Sequence, residues 1–303
     1  VSFAVELAKA RRLTQVERLV RARDRTSSQQ TTIEAAFRRA VTAVSAQARA
    51  KDIAEAIASG NVLRVEQVMN WPEFGQPIMD IVQRPALIES LQAGGAAEVR
   101  IILGRPLYAL DITQSEAINW LRTAGYVALE QSTNVRREAL LVYMEQAARR
   151  GLSVLEAARE LRDLRIVGLT PRQVRAIANF GMSLKASGIV GEDAAKRVAA
   201  YVSRSLAYRA ETIAMDLMTR AFAAGQRALW AQASREGFID PRKAVQQWVS
   251  LEDACIICGA LDRVVVQIGQ PFPGGYMGPG DPHPRCRCMV LMWPNGVPVD
   301  LAA

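Results

Sequence analysis

The stretch GEDAAKRVAAYVSRSLAYRAETIAMDLMTRAFAAGQRALWAQAS, residues 191–234, decides how most of the chain is read. Helix formers dominate it. Ile213, Leu217, Ala221 and Ala224 recur at intervals of three and four, the spacing that lines one face of a helix. The spacing predicts the longest helix of the chain, starting near Gly191 and running to about Ser234, with one break allowed. Nothing reactive sits in the stripe, so it reads as core packing.

Working outward, helix punctuation is frequent from residue 111 onward. Thr113-Gln-Ser-Glu116, Ser153-Val-Leu-Glu156 and Thr170-Pro-Arg-Gln173 are capping boxes, in which a hydroxyl accepts a free amide and an acid or amide side chain reaches back. Gly151 suits the left-handed end of the helix that carries Leu140, Leu141, Tyr143, Met144 and Ala147. Asp240-Pro241 repeats the pattern of cap then proline. Residues 1–60 read as helical, interrupted by the polar stretch Thr26 to Thr32. Residues 61–110 are broken by prolines and Gly94-Gly95, which fits several short helices.

After Trp248 the character changes. Val264 to Ile268 is a β-branched run and Met289 to Trp293 an apolar one, with a Pro- and Gly-dense loop from Pro271 to Pro284 between them. Two short strands and a long loop cannot bury a core unaided, and a metal ion would supply the missing stabilisation. The fold class expected is therefore mainly α, an elongated multi-helix body with a small C-terminal zinc-stabilised β/loop module. Three segments are expected: a basic N-terminal helical region (1–110), a helical core (111–235) and a zinc-binding C-terminal module (236–303).

Of the 303 residues half are apolar, enough to bury a core, and only 6% are aromatic. No apolar run approaches the length of a membrane span. The opening VSFAVELA is followed by KARR, the reverse of a signal peptide's order, so it reads as the start of a helix. The net charge is +8, and residues 1–50 hold ten Lys or Arg against four acids. Such a segment suits nucleic acid or an acidic protein surface, or is simply a solvated helix face.

All four cysteines and the single histidine fall within residues 255–288. Cys255-Ile-Ile-Cys258 and His283-Pro-Arg-Cys286 form two similar clips, each with a gap of two residues, and Cys288 follows. Zinc takes four thiolate or imidazole ligands in a tetrahedron. The set expected is Cys255, Cys258, His283 and Cys286, with Cys288 as the alternative fourth ligand. Two disulfides, or buried thiols without metal, are the competing readings. Three thiolates and an imidazole would leave no open position for catalysis, and committing the only histidine removes the usual general base. No HExxH, deaminase or phosphate-loop pattern occurs. The chain is expected not to be an enzyme. Glu252 and Asp253, beside the first clip, are expected to cap a turn or orient ligands rather than act as a carboxylate pair.

Residues 248–262, WVSLEDACIICGALD, followed by Pro282-His283-Pro284-Arg285-Cys286-Arg287-Cys288, resemble the C-terminal signature of the phage Mu F-like head morphogenesis proteins. That pattern runs Trp, Asp, CxxC, a Leu-Asp-Gly-like turn, a Pro/Gly-rich loop, then HPxCRC. Here Arg263 stands in place of the Gly. Arg209-Ala210-Glu211, followed by Ala221, Gly225 and Trp230, is similar to the family's preceding helix, with Met215-Asp216-Leu217 replacing a usual Arg-Thr-Glu. The resemblance covers roughly residues 190–290. It implies a structural minor head protein in the virion of a tailed phage, assembled in the host cytoplasm and acting near the portal. Partners would be the portal and other head proteins in multiple copies. Genomic DNA would be met through the basic N-terminal region during packaging or ejection. It also leads us to expect none of the C-terminal toxin or enzyme domains of larger members. The alternative is a zinc-containing nucleic-acid-binding protein without a capsid role, in which Arg285 and Arg287 would meet phosphate. The segment from Cys255 onward holds three acids and three arginines, too little positive charge for that role.

Overall fold

The computed structural model describes residues 16–17, 19–24, 27–70, 87–102, 110–113, 115–251 and 253–296. It is mainly helical, with a small C-terminal sheet of three strands. In chain order the elements are α1 (Ser27–Gln47), α2 (Ala50–Ala58), α3 (Val62–Val68), α4 (Leu87–Ile102), α5 (Ser115–Arg149) and α6 (Val154–Asp163). A short 3-10 turn (Ile166–Gly168) follows, then α7 (Pro171–Ala186), α8 (Gly191–Arg235), β1 (Val245–Val249), α9 (Ile256–Leu261), β2 (Val265–Gln267) and β3 (Met289–Trp293).

The chain folds as two compact units, each built from separated segments. The first gathers residues 32–82 and 125–211, the second residues 1–31, 83–124 and 212–303. They are therefore not coextensive with the three consecutive segments read from the sequence.

Local rules fix most of the first unit. Ser153 and Glu156 complete a capping box at the start of α6, and Thr170 and Gln173 another at α7, where Pro171 takes the first turn. Gly151 closes α5 at φ +70°, with the Leu152 amide donating back to Ala147. Arg137 grips Glu66 with two parallel bonds of 2.6 and 2.9 Å. The buried Tyr143 hydroxyl donates to the Ala157 carbonyl at 2.7 Å.

The polar stretch Thr26 to Thr32 is helical from Ser27 onward, where α1 begins, and residues 25 and 26 lie outside the described residues. The long helix α8 continues through all 45 residues without a break. Asp240-Pro241 starts no helix; Asp240 caps a turn by accepting the Arg242 amide at 3.0 Å. At Thr113 the amide and hydroxyl both bond Asp111, while Gln114 and the Glu116 side chain lie outside the described residues. Five of the ten basic residues of 1–50, Glu252, and the prolines of residues 71–86 also lie outside them.

In the second unit the predicted stripe of α8 is buried at Leu217, Ala221 and Ala224, with Ala214 rather than Ile213 continuing it toward the N-terminus. Small residues let α4 come close. A Cβ on Gly94 would stand 2.1 Å from the Phe222 carbonyl oxygen, and one on Gly225 1.9 Å from that of Leu91. Both runs expected as strands form β2 and β3. They flank a third, β1, in the order β2-β1-β3, and every pairing is antiparallel. The sheet packs on the end of α8: Trp230 and Ala233 share a core with Trp248, Phe272, Val290 and Met292. Trp248 and Phe272 meet edge to face, with centroids 5.1 Å apart.

Candidate metal centre

Cys258, Cys286 and Cys288 belong to that same core, and only Cys255 is exposed. Cys255 stands at the N-cap of α9, where its sulfur accepts the Cys258 amide at 3.5 Å. One helical turn then carries Cys258 inward, while the two intervening isoleucines face out; Ile256 is 90% exposed. Across from this turn, Arg285 adopts a left-handed backbone (φ +62°) between His283 and Cys286. That reversal folds the second clip back toward the first.

The structure brings together all five residues singled out by sequence, as two overlapping triads. The ligand atoms of Cys255, Cys258 and His283 lie within 4.8 Å of one another, and so do those of Cys258, Cys286 and Cys288. Cys258 belongs to both. His283 Nε2 is 3.2 Å from the Cys255 sulfur and 3.0 Å from that of Cys258. The Cys258 and Cys286 sulfurs are 3.7 Å apart. The four cysteines are unpaired, so neither disulfide expectation is realised.

The donor set fits a metal ion. Two ligands at tetrahedral angles and zinc–sulfur lengths of about 2.3 Å stand about 3.7 Å apart, which matches the Cys258–Cys286 spacing. His283 Nδ1 faces the Pro284 carbonyl at 2.8 Å. Donation there leaves Nε2 unprotonated toward the sulfurs, the arrangement that ligating histidines adopt. The cluster could thus hold a metal ion.

The electrostatics are those of thiols crowded together. Cys286 is held down to about 5, chiefly by its hydrogen bond with Cys288 and also by the Gly280 amide. The same contact pushes the Cys288 thiol upward, and burial adds to it. Burial raises Cys258 to about 12. Cys255 is lowered, first by the Cys258 amide. For His283 burial is the largest single influence and acts downward. The Pro284 carbonyl and the nearby sulfurs outweigh it, so the net shift is upward.

Around the ligands lie groups that the spacing argument passed over. Arg287 pairs with Asp253. Arg23 donates to the Arg287 carbonyl at 3.0 Å. Thr219 donates to the Cys286 carbonyl at 3.4 Å, and Arg285 reaches the Thr212 hydroxyl at 3.4 Å. From the same side of α8, Arg220 reaches Asp281 and Gly280. Asp281 carried the one legible signal, an acid inside a Gly-Pro-Gly-Asp-Pro turn, where its side chain can accept backbone amides.

Comparison with protein families, with curated proteins and with solved structures gave no match. No described helix is long and apolar enough to cross a membrane.

Proposed function

We propose that the chain is a structural minor head protein of a tailed phage or related particle. In this reading it acts in head assembly near the portal and in DNA packaging or ejection, and its C-terminal module holds one zinc ion. The observation that carries the reading is the burial of Cys258, Cys286 and Cys288 in the module's core beside Trp248 and Phe272. A metal held there joins the core to the exposed turn at Cys255, which suits a stiff docking element. Zinc is favoured because the donors are thiols and one imidazole, without a carboxylate among them. Cys255, Cys258, His283 and Cys286 would hold it, with Cys288 the alternative to Cys286. A site closed by four protein ligands serves structure rather than chemistry, so no catalytic role is assigned.

The engagement of Arg287 by Asp253 and of Arg285 by Thr212 weighs against a phosphate-binding role for this module. Genomic DNA, on this proposal, is met by the basic segment within residues 1–50.

The zinc is tested by native mass spectrometry of chain purified without chelator, compared with Cys255→Ser and His283→Ala. One zinc per chain, lost in both variants, is expected; metal-free wild type refutes it. The head assignment is tested by quantitative mass spectrometry of particles made by the genetic element that encodes the chain. A fixed copy number per particle, retained through washing, is expected. Absence from purified particles refutes it.

A further inference from the structure

The Pro/Gly-rich loop that delivers His283 and Cys286 has little secondary structure of its own, yet it is tied to α8 at successive points. Arg220 donates through Nε to Asp216 at 3.0 Å, through one terminal nitrogen to Asp281 at 2.8 Å, and through the other to the Gly280 carbonyl at 2.6 Å. Two turns further along the helix, Arg227 donates to the Met277 carbonyl at 3.2 Å. The second oxygen of Asp281 accepts the Met277 and Gly278 amides at 2.8 and 3.1 Å. Asp281 therefore closes the turn with one oxygen and anchors it to the helix with the other.

The loop also lies against these arginines too closely for side chains. Gly280 has φ +97°, and a Cβ there would stand 2.7 Å from Arg220 Cγ. At Gly278 the neighbours are Arg227 at 2.7 Å and Ala223 Cβ at 3.4 Å. The Gly280 carbonyl is held by Arg220 one residue before Asp281 and three before His283.

We propose that Arg220 is a positioning residue of the metal centre. Paired with Asp281, it holds the Gly280 peptide and the turn before His283, and so fixes where Cys286 and His283 meet the Cys255–Cys258 turn. The inference rests on the zinc reading above. Its chemistry is that of partners outside the ligand set, which orient ligands and set their basicity. Arg220 suits the task because a planar, permanently charged guanidinium bonds three acceptors in a fixed geometry, which a lysine would not reproduce.

The test uses the full chain, its zinc affinity measured by chelator competition. Arg220→Met and Asp281→Asn are each expected to bind zinc about 10- to 100-fold more weakly. The double variant is expected to be no weaker than the weaker single one, because one linkage is cut twice. Asp281→Asn keeps an oxygen for the Met277 and Gly278 amides while losing the charge that Arg220 meets, so the turn survives if Arg220→Met fails to fold. Cobalt(II) in place of zinc gives a second readout. Its ligand-field bands are expected to change in both variants, which a residue that only stabilised the fold would not cause. Zinc affinity within about twofold of wild type overturns the proposal and leaves the zinc reading standing. Weaker binding with unchanged cobalt bands also overturns it, assigning Arg220 to stability alone. A wild-type chain that takes up neither metal overturns both.

Discussion

Replacing Gly225 by alanine tests the packing that carries the sheet and the metal centre. A Cβ at this position would stand 1.9 Å from the Leu91 carbonyl oxygen. Carbon and oxygen without strain stand about 3.3 Å apart, so α4 and α8 would have to separate by roughly 1.4 Å locally. The obstacle is backbone, so no rotamer change relieves it, and a close-packed interior cannot open there without losing contacts on both sides. Overpacking costs about 1–3 kcal/mol, and a backbone clash this deep belongs at the upper end. Against it stands a gain of about 1 kcal/mol from replacing glycine inside a helix. The net expectation is a loss of about 2 kcal/mol. The control is Gly181→Ala in α7, where the new Cβ would meet only Val198 at 3.9 Å, an ordinary contact. That substitution is expected to gain up to about 1 kcal/mol. Urea unfolding, followed by tryptophan emission, to which Trp230, Trp248 and Trp293 contribute, reads the first variant; circular dichroism reads both. If Gly225→Ala unfolds at or above the wild-type midpoint, the close crossing of α4 and α8 is wrong.

Four further outcomes follow from the remaining contacts. Ser153→Ala removes the cap of α6 and is expected to cost about 1 kcal/mol in urea unfolding. The same box lowers the Glu156 carboxyl, first through the Ser153 hydroxyl and then through the Ser153 amide. A folded value below the unfolded one means that this stabilisation is complete above the ordinary glutamate range and is lost as pH falls through the folded value. A Glu156→Gln variant should show a shallower acid-side decline in urea midpoint, and an unchanged slope would refute the linkage. Tyr143→Phe removes the second donor to the Ala157 carbonyl, which keeps its amide partner within α6, and should cost about 0.5–1.5 kcal/mol; a neutral result would mean that the buried hydroxyl contributes nothing net. Chelator treatment of the zinc-loaded chain is expected to collapse amide-exchange protection over residues 255–293 while the helical circular dichroism persists. Protection that survives metal removal would show that the module's apolar core suffices alone.

The parts of this fold legible in the sequence are those whose partners lie a few residues apart. The capping boxes at Ser153 and Thr170 and the left-handed end at Gly151 follow from contacts spanning three to five positions, and residue type alone decides such contacts. The five clustered ligand residues were legible for a related reason: soft donors at gaps of two have little other use. Strand β1 was hidden because Gln246 and Gln247 sit at its centre, and polar residues in a short run argue against a buried strand. They are fully buried, each with one long-range partner: Gln246 donates to the Gln270 carbonyl at 2.6 Å and Gln247 accepts the Trp293 indole at 3.3 Å. Both partners lie far along the chain.

Gly225 shows the same limit from the other side. Taken alone, a glycine within a helical pattern weakens that helix. The helix runs through it because the backbone at Leu91 approaches closer than any side chain permits, a fact held by residues more than a hundred positions away. The choice between Cys286 and Cys288 has this character too. Spacing alone favours Cys286, because it repeats the gap of the first clip. In three dimensions both sulfurs join Cys258 in one buried triad, so spacing no longer separates them. What distinguishes them is the surroundings: the Gly280 amide helps to lower the Cys286 thiol, and Arg220 holds the far end of that peptide. An amide donor stabilises a thiolate, the form that binds metal. The preference for Cys286 is thereby tied to a residue of α8 that lies more than sixty positions upstream, and it should weaken when Arg220 is removed.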